Sequence, residues 1–285
     1  RNRVLGQVRV GAGQKLSIEA IGNYTENDNV PMPDEQEYPL SNYGVISVLG
    51  TENARAEIQF VRNQVAPDFE TATNFTRPFL NLPVTGAAAP NGRTEGLIHG
   101  EWSTMRFQSG LWNRGVLAFT AGDNVVSGDV ISFAETAPGA DDNGRVLLGP
   151  GVNVAFEDDF ISLGTTQISP GASFQVLKGN SLALGGLTQM TIPGGPFGFN
   201  YTPNQISGNA SFGGILELTI TNGGLLPPLS SIPLFNVGGS ILGNFADVIV
   251  FGSSLQFFTA VQGNNLILQA FDPAFAVGAD FNGDG

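Results

Sequence analysis

The sequence predicts an all-β fold: a β-solenoid of the parallel β-helix kind, followed by a β-rich C-terminal region. Three observations predict it. Glycine-marked turns recur at a spacing near 20 residues, the period of a stacked-coil architecture. Short apolar strands alternate in and out behind each turn. Most stretches with helical pattern are broken by Gly, Pro or Asn within about ten residues.

The repeats can be followed copy by copy. The first runs from Gly6 to Val10 and then from Leu16 to Ile18, and the second from Asn42 to Ile46 and from Ile58 to Phe60. The third pairs Gly96–Ile98 with Met105–Phe107, and the fourth Asn113–Leu117 with Val130–Phe133. The fifth pairs Asn143–Leu147 with Val154–Phe156, and the sixth Gly164–Ile168 with Phe174–Val176. Gly96 and Gly115 lie 19 residues apart, and Gly144 and Gly164 lie 20 apart. The 29-residue gap from Gly115 to Gly144 holds an insertion around Pro138–Asp142. A single coil cannot bury its own inward face, so stacking on neighbours completes the core. In Val154-Ala155-Phe156 the outer two residues are expected to point inward, with Glu157-Asp158-Asp159 marking the return to solvent.

These features divide the chain into coils over 1–178, a β-rich region over 179–272 and a tail over 273–285. Residues 24–41 and 66–95 are Pro-rich, the former also acidic, and are expected to be loops projecting from the solenoid. The 179–272 region is either more solenoid or a sandwich-like cap that covers the open end.

Composition excludes several functions. With 12 Lys and Arg against 25 Asp and Glu, the formal charge is −13, which repels phosphate backbones and argues against nucleic acid as a partner. The chain has no Cys, which removes disulfides, Cys-ligated zinc and thiol catalysis together. No apolar stretch reaches the roughly 18 residues of a membrane-spanning helix. The opening RNRVLGQV has no apolar signal core, so an exported chain is expected to be in its mature form.

Candidate chemistry is sparse. His99 is the sole histidine, so no His pair or triad exists; a structural role at a coil corner is expected, although Glu101 stands two residues away. A polysaccharide-cleaving reading needs matched carboxylates and a cation on one outer face, for which Glu101, Arg106, Glu157 and Asp159 are the nearest candidates. Nothing in their spacing favours a matched pair, so no enzyme is expected. Asp141-Asp142-Asn143 and Glu157-Asp158-Asp159 are acidic turns expected to be solvated. Tyr24, Tyr38, Tyr43 and Trp112 are exposed-aromatic candidates for sugar stacking or for packing. Asp280, Asn282 and Asp284 occupy the first, third and fifth positions of a D-x-[DN]-x-[DN]-G loop closed by Gly285. They are the candidate metal ligands, for calcium, and a plain acidic tail is the simpler reading.

Three stretches carry a family resemblance: the Asn-x-Gly pattern at Asn113-Arg114-Gly115, the segment Pro233–Val248, and Gly278–Gly285. They resemble the large secreted β-repeat proteins of planctomycete-type bacteria, which are similar to autotransporter passengers and often end in a dockerin-like segment. The resemblance implies an exported surface or matrix protein and carries over no activity. Because the sequence stops inside the calcium loop, weak affinity is expected and no cohesin partner is implied. The expected function is therefore an extracellular structural subunit of a fibre, sheath or surface layer whose partners are copies of itself. The alternative is an adhesin or carbohydrate binder that holds cell-surface or matrix polysaccharide with its loops.

Overall fold

The computed structural model describes residues 2–4, 7–19, 40–61, 78–82, 96–134, 144–195, 198–199, 201–221, 231–253 and 255–271. Among these the fold is a β-solenoid without helix, in which each coil contributes three short strands. Coil 1 is β1 (Asn2–Val4), β2 (Gln7–Val10) and β3 (Lys15–Glu19), and coil 2 is β4 (Leu40–Asn42), β5 (Val45–Leu49) and β6 (Ala56–Val61). Coil 3 is β7 (Phe79–Asn81), β8 (Leu97–Glu101) and β9 (Ser103–Phe107). Coil 4 is β10 (Leu111–Asn113), β11 (Val116–Ala121) and β12 (Asp123–Ser127). Coil 5 is β13 (Val130–Ser132), β14 (Arg145–Leu148) and β15 (Asn153–Phe156). Coil 6 is β16 (Phe160–Ser162), β17 (Thr165–Ile168) and β18 (Ser173–Val176). Coil 7 is β19 (Leu182–Leu184), β20 (Leu187–Gly195), the short β21 (Gly198–Phe199) and β22 (Asn204–Ile206). Coil 8 is β23 (Ala210–Phe212), β24 (Ile215–Thr221) and β25 (Ser231–Val237). Coil 9 has β26 (Ile241–Gly243) and β27 (Asp247–Phe251), followed by a hairpin of β28 (Gln256–Gln262) and β29 (Asn265–Phe271).

Like strands stack on like. The first sheet runs β1-β4-β7-β10-β13-β16-β19-β23-β26, the second β2-β5-β8-β11-β14-β17-β20-β24-β27, and the third from β3 through every coil to β25. All of these pairings are parallel, so the ladders continue unbroken past residue 178. At the C-terminal end the pattern changes. β29 pairs antiparallel with β25, and β28 pairs antiparallel with β29, so the hairpin ends the parallel ladder of the third sheet. Asn244, in the turn before β27, accepts the Thr259 hydroxyl and donates to the Thr259 carbonyl at 2.6 Å, which ties the hairpin to the last coil.

Alternation builds the core. Val154 and Phe156 are buried as expected, and the inward column of the second sheet passes through Ile46, Ile98, Leu117 and Val146, all fully buried. Phenylalanines stack between coils, Phe60 on Phe107 at 5.0 Å and Phe156 on Phe160 at 4.3 Å between ring centroids. Each such side chain contributes about 1.5–3 kcal/mol through burial.

The first sheet adds a polar column inside the apolar one. In coils 2 to 6 the third residue of its strand faces inward, and it is in turn Asn42, Asn81, Asn113, Ser132 and Ser162, all buried. Asn42 Nδ2 donates to Asn81 Oδ1 at 2.9 Å, and Asn81 Nδ2 to Asn113 Oδ1 at 2.7 Å. The same amides also reach the carbonyls of Leu97, Val116 and Arg145 at 3.2, 3.1 and 3.0 Å. The ladder thus satisfies buried backbone at the turn into each second-sheet strand. Beside it runs the glycine column that gave the repeat its period. A Cβ on Gly115 would lie 2.4 Å from the Gly96 carbonyl oxygen, and one on Gly186 2.0 Å from that of Gly164. Close stacking on the coil below is what requires glycine there.

Three sequence expectations need correction. Residues 66–95 are not one loop: Phe79–Asn81 form β7, fully buried, because Phe79 enters the phenylalanine stack and Asn81 the amide ladder. Residues 40 and 41, placed at the end of the first loop, belong to β4 together with Asn42; the rest of 24–41 lies outside the described residues. The strand that closes coil 4 is β12, whereas Val130–Ser132 opens coil 5.

Replacing Asn81 by Ala removes one donor–acceptor group from the middle of the buried ladder and orphans its neighbours. The expected loss is about 2–3 kcal/mol, read as a lower urea midpoint for Asn81→Ala than for the native chain. An unchanged midpoint contradicts the ladder's role.

Candidate functional site

The outer faces carry the polar chemistry. On the third sheet, charged side chains from successive coils form one line along the solenoid. Lys15 Nζ lies 2.8 Å from Glu57 Oε1, and Arg106 Nε donates to the same oxygen at 3.2 Å. Arg106 Nη1 is 3.4 Å from Ser127 Oγ and 3.9 Å from Glu157 Oε2. The Ser127 hydroxyl donates to Glu157 Oε2, and Lys178 Nζ stands 3.2 Å from Glu157 Oε1. The line spans coils 1 to 6. Hydrogen bonding to Lys15, then to Arg106, holds the Glu57 carboxyl below its ordinary range; the Ser127 hydroxyl, then Lys178, does the same for Glu157.

On the second sheet a different group forms. His99 is not at a coil corner: alternation on β8 turns Ile98 and Gly100 inward, so His99 and Glu101 face outward together. His99 Nε2 is 2.6 Å from Thr120 Oγ1, the Thr120 hydroxyl donates to Glu101 Oε1 at 2.7 Å, and Nε2 lies 3.4 Å from that carboxylate oxygen. Thr120 reaches this position through a register shift between β11 and β8, where Phe119 pairs with Gly100 but Ala121 with Glu101. No sequence pattern announces such a bulge.

The four residues of the polysaccharide-cleaving reading are therefore dispersed. Arg106 and Glu157 meet on the third sheet, Glu101 belongs to the second, and Asp159 lies in a turn where it accepts the Ser181 N–H at 2.7 Å. In the 157–159 cluster Asp158 also accepts backbone, from Gly128 N–H at 2.7 Å. These acids work as turn caps between coils as well as solvated groups. Trp112 lies on the outer side of β10 and packs edge-on against Phe133, with ring centroids 5.4 Å apart. The metal-ligand candidates Asp280, Asn282 and Asp284, the acidic turn at 141–143, Tyr24 and Tyr38 lie outside the described residues.

The last coil presents a third kind of surface. Leu242 on β26 is 60% exposed and Phe251 on β27 51%, while Phe258 and Val261 on β28 are 43% and 52% exposed. Between Ile241 and Phe271 the sequence has a single ionisable side chain, Asp247. The segment Pro233–Val248 supplies much of this end: Leu234, Phe235 and Val237 seal the core beneath it, and Phe245 closes the following turn.

Comparison with known proteins gives no relative from which a site can be transferred. The chain matches no family model, and no curated protein matches it.

The third-sheet line predicts an acid response of definite sign. Glu57 and Glu157 hold their protons less tightly in the folded chain than the ordinary value of 4.5, so the unfolded chain binds more protons in that region. Their stabilisation is complete above the ordinary value and disappears as pH falls through the lowered folded values. The melting temperature of the native chain is expected to drop more steeply below about pH 5 than that of a Glu57→Gln, Glu157→Gln double variant. Parallel curves contradict the assignment.

Proposed function

We infer that this chain is an extracellular structural subunit that assembles with further copies of itself, in a fibre, sheath or surface layer, through the apolar surface of its last coil. The observation that carries this reading is that four of the six large exposed apolar side chains among the described residues, Leu242, Phe251, Phe258 and Val261, belong to the last coil and its hairpin, whereas Leu163 and Ile215 lie in earlier coils. Single exposed apolar side chains are ordinary, whereas several large ones at one end of a domain mark an association surface. The near absence of charge from 241 to 271 supports a second copy as the partner. Two chains of formal charge −13 repel broadly, and this end belongs to the stretch 179–271 in which Glu217 and Asp247 are the only Asp, Glu, Lys or Arg, so it brings little like charge into contact. The antiparallel hairpin ends the parallel ladder of the third sheet, while β26 and β27 are the last strands of the other two and present their edges at this end.

A structural role also fits the outer faces, where Arg106 is committed to Glu57 and Glu157 and the acids at 158 and 159 cap turns. Export, the resemblance to secreted β-repeat proteins and calcium at Asp280, Asn282 and Asp284 belong to the same proposal. Calcium bound there assists assembly and does not drive it.

Sedimentation and negative-stain microscopy of purified protein, with and without a chelator, test the reading. Concentration-dependent assembly is expected, and a Phe251→Ser, Val261→Ser double variant is expected to weaken it about tenfold or more while keeping its melting temperature. A particle that stays monomeric at every concentration and calcium level overturns the proposal. Assembly that ignores both substitutions overturns the interface.

A further inference from the structure

We propose that His99, Glu101 and Thr120 form a binding site for a divalent transition-metal cation on the outer face of the second sheet. The site is independent of self-assembly and uses residues to which neither the ion-pair line nor the apolar end lays claim.

The donor set is the first observation. An imidazole nitrogen with a carboxylate suits zinc, copper or nickel rather than calcium, and the chain's single histidine stands beside a carboxylate on the same strand face. The second is the bulge. Among the described parallel pairings, the ladder between β8 and β11 is the one with a register shift, and Thr120 is the residue it leaves without a partner opposite. Bulges re-aim a side chain, and this one sets a hydroxyl between the imidazole and the carboxylate. The third is geometry. Nε2, Oγ1 and Oε1 form a triangle with edges of 2.6, 2.7 and 3.4 Å. A cation about 2.0–2.2 Å from each donor sits above that triangle, on its solvent side, with water completing the shell. Room exists there: the side chains of His99 and Glu101 are partly exposed, and their ladder neighbours include the small residues Ser47, Ala118 and Ala121.

The protons move consistently. Without metal, the Thr120 hydroxyl gives its one proton to Glu101 and receives Nε2–H. Coordination needs the Nε2 lone pair, so the imidazole proton sits on Nδ1 in the metal-bound form. Thr120 then serves as a neutral third oxygen ligand. With two strong donors and one weak one, the site is expected to bind more loosely than a three-histidine site.

A single histidine makes the test direct, because its ring Cε1–H gives one resolved NMR signal. Zinc added to chelator-stripped protein is expected to shift that signal saturably at one cation per chain. Glu101→Gln is expected to weaken the response about tenfold or more, with a smaller loss for Thr120→Val. Both substitutions point outward, and circular dichroism checks their folding. X-ray absorption of the zinc-loaded native chain gives a readout free of mutation, with one imidazole among oxygen ligands expected. A histidine signal indifferent to millimolar zinc, a response unchanged in Glu101→Gln, or a shell of oxygens alone overturns the site.

Discussion

Vertical register is the constraint on which this molecule depends. Each inward side chain rests on its counterpart one coil away, and three parallel ladders must keep that correspondence together, since a slip in one sheet would turn its alternating side chains inside out. The amide column from Asn42 to Asn113 and the glycine column beside it work only in that register. An amide must meet the next amide and the next strand's first carbonyl, and a glycine must let the carbonyl below approach within the space a Cβ would fill. Both columns sit at the turn between the first and second sheets, which takes two residues in coils 2, 4 and 6. The apolar core supplies most of the stabilisation, and the polar and glycine columns fix which coil residue lies over which.

The same register organises the outside. On the third sheet it brings opposite charges from non-adjacent parts of the sequence into one line, where Lys15, Arg106 and Lys178 stand against Glu57 and Glu157. On the second sheet one irregularity places a hydroxyl between the only imidazole and a carboxylate. From coil 7 onward, by contrast, charge almost vanishes, and at the last coil apolar side chains emerge. A flank of paired ions, a local polar cluster and an apolar end are three different surfaces built from one repeated unit.

Much of the solenoid was legible in the sequence because its period is carried by residues with a mechanical reason to recur. Gly96, Gly115, Gly144 and Gly164 mark the tight turn, and pairs such as Val154 and Phe156 mark the longer strands. The first sheet was not legible. Its strands are three residues long and show only two inward side chains, one of which is Asn or Ser in coils 2 to 6. Alternation of apolar and polar residues therefore fails as a guide there. Phe79–Asn81 was hidden for that reason inside a Pro-rich stretch, and Val130–Ser132 was taken for the end of one coil rather than the start of the next. Glu101 and His99 stood two residues apart in plain view, but Thr120 joins them only through a bulge, which depends on pairing between strands and leaves no local trace.

The placement of β29 between β25 and β28 has a consequence for the order in which the molecule comes into being. Coils 2 to 8 can each dock on a predecessor already present as the chain emerges from a ribosome. β28 cannot do so, because the strand it pairs with is made after it. Closure of that end must wait for the residues through Phe271, so the nascent solenoid carries an unfinished last coil until β29 has been made.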